Sequence, residues 1–96
     1  MKTIEENVRD RFLAYCKIDT QSQPNNGKTP STIGQFDLAS LLYDELKSIG
    51  ASDVFYDRKN CLVYAKIPGN SKDDHPFGLI AHLDTATEAS GKNVKP

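Results

Sequence analysis

The residues best suited to chemistry lie in His82-Leu83-Asp84-Thr85. On a strand, side chains two apart share a face. His82 and Asp84 are therefore predicted to point the same way, with Leu83 on the opposite side. A neutral imidazole is a common zinc ligand. A carboxylate beside it fixes the ring's tautomer and raises its basicity. The pair directly follows the apolar run Phe77-Gly78-Leu79-Ile80-Ala81, so it is expected at the carboxyl end of a strand. In open α/β sheets that end is where ligands bind. Spacing alone leaves a second reading open, a hydrogen-bonded structural histidine. A catalytic zinc usually takes three protein ligands and a water. Beyond this pair the sequence offers no His or Glu cluster at another strand end, so a metal site here is expected to be incomplete.

Other reactive side chains have simpler expectations. His75 sits in a polar loop with Asp73 and Asp74 and is expected to be solvated. Gly69 and Gly78 have no phosphate-binding context, and no Ser or Cys occupies a nucleophile elbow. Cys16 and Cys61 form neither a CxxC pair nor a disulfide framework. Two free thiols in a reducing cytoplasm are expected.

Lys and Arg number 12 against 13 Asp and Glu, a net charge of -1. That balance provides no electrostatic footprint for nucleic acid or an anionic membrane. No apolar run approaches the roughly 20 residues of a membrane-spanning helix. Residues 1–12 lack the apolar core of a secretory signal. At 96 residues the chain is one domain at most, and hydrophobic residues are 38% of it. So short a chain leaves much of its surface in water.

The elements that must position the pair are read from periodicity. Thr3 and Glu6 have capping-box spacing. Ile4, Val8, Phe12, Tyr15 and Cys16 then recur at helical intervals, with Leu13 widening the apolar stripe, which predicts a helix over about residues 4–17. Residues 19–31 are turn formers, expected to be mobile or ordered only through neighbouring parts. Ser31 or Thr32, with Gln35 following, is the predicted cap of a second helix. Its apolar face is Leu38, Leu41, Leu42, Leu46 and Ile49, and Gly50 is its left-handed stop. Residues 53–57 and 61–67 read as an antiparallel hairpin turning at Asp57-Arg58-Lys59-Asn60. Residues 77–81 do not alternate, which predicts a strand buried on both faces. The fold class is thus α/β, with two N-terminal helices, a β-hairpin and a buried strand.

Arg11-Phe12-Leu13, Asp19-Thr20-Gln21-Ser22, Pro30-Ser31-Thr32 and Gly34-Gln35 are short pieces with a family likeness. Stronger still are Ala81-His82-Leu83-Asp84-Thr85 and Ser90-Gly91-Lys92-Asn93-Val94. Through these pieces, in one register over essentially the whole chain, the sequence resembles the N-terminal segment of the peptidase T family. These are tripeptide aminopeptidases of the zinc exopeptidases related to carboxypeptidase G. The resemblance implies the start of a three-layer α/β/α catalytic domain. It implies two zinc ions in the complete enzyme, with His82 a ligand of one and Asp84 the catalytic-site aspartate that orients this histidine. It also implies a tripeptide substrate, a homodimer and a cytoplasmic location. Residues 1–96 would form the N-terminal part of that one catalytic domain. The other ligands, the Glu general base and the dimerisation domain would be absent, and the isolated chain inactive. Two alternatives stand beside this: a non-catalytic module that pairs with a partner through its open sheet edge, and another exopeptidase or deacylase of the superfamily.

Overall fold

A computed structural model describes residues 1–73 and 75–96. The elements, in order, are α1 (Ile4–Cys16), α2 (Gly34–Ser48), β1 (Ser52–Asp57) and β2 (Leu62–Lys66). This is a small α/β arrangement, as the start of an α/β domain would be.

The predicted capping box forms at α1. The Thr3 hydroxyl accepts from the Glu6 amide at 3.1 Å, and the Glu6 carboxylate accepts from the Thr3 amide at 3.2 Å. The apolar stripe predicted for α1 is covered only in part: Ile4, Val8 and Phe12 are exposed, Leu13, Tyr15 and Cys16 are half-buried, and no α1 residue is fully buried. The helix is held instead by polar contacts from its second half. The Tyr15 hydroxyl donates to the Glu45 carboxylate of α2 at 2.9 and 3.0 Å. Arg11 Nε pairs with the same carboxylate at 2.5 Å. Burial and the Glu45 carboxylate push the Tyr15 phenol up to about 12.

Helix α2 ends as its sequence predicts. Gly50 takes φ 86°, its amide bonds to the Lys47 carbonyl at 3.2 Å, and the Ala51 amide bonds to the Leu46 carbonyl at 3.1 Å. This doubly bonded glycine stop satisfies carbonyls that the helix leaves open. The start of α2 differs from expectation. Its cap is Ile33, with no side-chain bond. The hydroxyls of Ser31 and Thr32 are engaged elsewhere: Ser31 Oγ accepts from the Gln23 amide at 3.0 Å, and Thr32 Oγ1 from the Gln35 side-chain amide at 3.0 Å.

Strands β1 and β2 pair antiparallel, with Tyr56 opposite Val63 and Phe55 opposite Tyr64. Asp57 builds the predicted turn. One carboxylate oxygen accepts from the Lys59 and Asn60 amides at 3.1 Å, and the other from the Asn60 side chain at 2.9 Å. These bonds, Asn60's first, hold the Asp57 carboxyl below the usual carboxylate range. Alternation turns Tyr56 and Val63 inward, onto α2. The core is Ala39, Tyr56 and Cys61, flanked by Phe36, Tyr43, Val63 and Leu83. Both cysteines are free. Cys61 is buried, which raises its thiol pKa, and Cys16 is half-buried.

The predicted buried strand over residues 77–81 does not form. Phe77, Leu79 and Ile80 are 87%, 91% and 100% exposed, and the segment belongs to no helix or strand. An apolar run becomes a central strand only when other strands bond both its edges and layers cover both its faces. Among the described residues none pairs with it. The two-stranded hairpin already lies against α2. Asp74, read as part of a polar loop, lies outside the described residues.

Candidate functional site

The exposed run gives way to a segment that is anchored. Leu83 is half-buried and packs on the core cluster of Ala39, Tyr56 and Cys61. Two residues later the backbone makes a parallel bridge: the Thr85 amide donates to the Thr20 carbonyl at 3.1 Å, and the Ser22 amide to the Thr85 carbonyl at 3.0 Å. Thr20 is 3% exposed beneath this bridge. Residues 19–22, expected to be mobile or ordered only through neighbouring parts, are ordered by this pairing.

Side chains reinforce it. The Gln21 side-chain amide donates to the Thr87 carbonyl at 3.0 Å and accepts from the Gly91 amide at 3.4 Å. The Gln21 backbone amide bonds to Asp19 Oδ1 at 3.1 Å. Two glycines make the packing possible. A Cβ on Gly34 would collide with the Asp19 carbonyl, and one on Gly91 with the Asp19 carboxylate.

With Leu83 turned to the core, His82 and Asp84 meet on the other side. His82 Nδ1 lies 2.9 Å from Asp84 Oδ1. The predicted shared face is thus observed as a direct hydrogen bond. The second carboxylate oxygen, Oδ2, accepts from the Ser22 hydroxyl. The Ser22 bond, followed by the one from His82, holds the Asp84 carboxyl below the usual carboxylate range. A carboxylate only accepts, so Nδ1 carries the proton of this bond. Nε2 is then the ring nitrogen left with a lone pair, the form in which a neutral imidazole binds a metal. The His82 side chain is 83% exposed, so packing does not hold the ring; the bond to Asp84 does.

This donor set suits one ligand position of a zinc site, an imidazole backed by a carboxylate. Among the described residues no group of three or more His, Cys, Asp or Glu side chains is placed to hold a metal ion. The predicted pair is therefore brought together, and His75 lies exposed in its loop. Sequence spacing missed the role of Ser22. It lies 62 residues from Asp84, and no periodic pattern links the two.

Similarity to known proteins supplies the context. Peptidase T of Bacillus velezensis is 49% identical over 94 residues, which is 97% of this chain. Peptidase T of Bacillus licheniformis matches at 49% over the same length, and that of Bacillus subtilis at 47%. Along its length this chain is homologous to peptidase T. It spans 23% of each of these relatives, a coverage consistent with an N-terminal segment. A scan against protein-family models finds no match. Among the described residues no helix is long and apolar enough to cross a membrane.

Proposed function

We propose that this chain contributes one zinc ligand, His82, and the carboxylate that orients it, Asp84, to a dinuclear zinc aminopeptidase that removes the N-terminal residue from tripeptides. The observation that carries this reading is the 2.9 Å bond from His82 Nδ1 to Asp84 Oδ1, in a chain 49% identical to a peptidase T. Zinc held there through His82 would supply a Lewis acid for the scissile carbonyl and would lower the pKa of a bound water.

The chain's own residues do the positioning. Asp84 fixes the His82 tautomer with the proton on Nδ1 and turns Nε2 outward as the metal donor. Leu83 ties the segment to the core, and the Thr20–Thr85–Ser22 bridge holds its far end. The other ligands and a Glu general base would come from sequence corresponding to the remaining length of the relatives. The exposed run supports this reading, because its residues are apolar on both faces, as in a strand flanked by others. The complete enzyme would be a cytoplasmic homodimer, and residues 1–96 alone would have no peptidase activity.

A segment exchange tests the proposal. The matching segment of the Bacillus velezensis peptidase T is replaced by this chain, and tripeptide hydrolysis is assayed with zinc supplied. The expected result is release of the N-terminal residue, abolished by His82→Ala. A folded chimera whose hydrolysis is unchanged by His82→Ala would refute the ligand role.

A further inference from the structure

His82 is exposed and Asp84 half-buried, yet the geometry of the pair is defined. Side-chain exposure is 83% for His82 and 43% for Asp84, so packing does not fix the ring and leaves the carboxylate within reach of water. A carboxylate open to water can rotate about two torsions and has water as a competing partner. Oδ1 of Asp84 is bonded to His82, and Oδ2 to the Ser22 hydroxyl. Of these two partners only Ser22 stands on a fixed support. Its amide bonds to the Thr85 carbonyl at 3.0 Å, Thr85 bonds back to Thr20 at 3.1 Å, and Gln21 reaches Thr87 at 3.0 Å.

We infer that Ser22 is the positioning residue of the pair: its hydroxyl holds the Asp84 carboxylate in the orientation that turns the His82 ring and offers Nε2 to a metal ion. The inference rests on the zinc-ligand reading of His82. The hydroxyl and the backbone of Ser22 do separate work. The backbone bridge joins residues 19–22 to Thr85 without any side-chain atom of Ser22. Ser22→Ala therefore keeps the bridge and frees the carboxylate, whereas Ser22→Thr keeps both.

The test uses the chain itself, labelled with 15N, at a pH where its histidines are neutral. Long-range 1H–15N spectra report the tautomer of each ring, and His75 serves as an internal reference. Zinc chloride alone is then titrated in. The wild-type chain is expected to show His82 with its proton on Nδ1 and a zinc-dependent shift at Nε2. Ser22→Ala should move the proton toward Nε2 and raise the zinc dissociation constant at His82 about tenfold, the lower end of what loss of an orienting partner costs. Ser22→Thr should restore both, with the Thr20 and Thr85 amide shifts unchanged throughout. A Ser22→Ala chain with the wild-type tautomer and zinc constant would overturn the inference. So would a Ser22→Thr chain that keeps the amide shifts and loses the tautomer. A wild-type chain with the Nδ1 proton, whose peptidase T chimera keeps its full zinc content after His82→Ala, would instead overturn the zinc-ligand reading, leaving the hold of Ser22 on the pair intact.

Discussion

Residues 77–81 and residues 82–85 are neighbours in sequence, and they are held in opposite ways. The first stretch is wholly apolar, yet Leu79 and Ile80 are almost completely exposed. The second carries His82, Asp84 and Thr85, yet it is fixed by one apolar contact, a two-bond bridge and a shared carboxylate. Apolar character supplies a driving force but no partner. The polar stretch finds its partners within this chain, at Thr20 and Ser22. The same contrast separates the helices. Helix α2 buries Leu38 and Ala39, whereas α1 hangs on Glu45 through Tyr15 and Arg11, with Ile4, Val8 and Phe12 in water.

Four substitutions or titrations break or sharpen that contrast. Leu38→Ala should remove about 2–5 kcal/mol of stability, measured by denaturant unfolding, because Leu38 is buried in α2. Asp84→Asn, tested in the peptidase T chimera, should keep the fold and lower zinc affinity or turnover by about 10–100-fold. Unchanged kinetics and zinc content would remove the orienting role.

Tyr15 gives a pH dependence of known sign. Its pKa is raised from 10.0 to about 12 in the folded chain, so the neutral phenol is the form that folding favours. The stability it contributes is complete below pH 10 and is lost as the pH rises from 10 through 12. Tyr15→Phe should flatten that loss relative to wild type, read from unfolding midpoints at pH 9 and 11.5; parallel curves would contradict the Glu45 contact. The smallest effect belongs to the apolar run. Leu79→Ala or Ile80→Ala should change the stability of this chain by less than about 0.5 kcal/mol, since the side chains meet only solvent. A loss of several kcal/mol would mean that the run is covered in solution.

What the sequence disclosed and what it hid follow from the range of the interactions. The capping box at Thr3 and Glu6, the Gly50 stop and the Asp57 turn involve residues two to five apart, and all three are visible as spacing. The alternation that places His82 with Asp84 and sends Leu83 to the core is equally local. The cap of α2 was obscured because Ser31 and Thr32 serve Gln23 and Gln35. The apolar stripe of α1 and the apolar run at 77–81 are visible along the chain, but burial needs a covering partner, and Ile4, Val8, Phe12, Leu79 and Ile80 are exposed. The bond from Ser22 to Asp84 depends on tertiary docking across 62 residues, and no pattern along the chain encodes it.

The most direct measurement is the zinc content of the peptidase T chimera carrying this segment, compared between His82→Ala and His75→Ala. Purified under identical conditions and shown to be folded, the His82→Ala protein should lose bound zinc. The His75→Ala protein should keep the full complement. Equal zinc in the two would contradict the claim that residues 82–84 supply a metal ligand.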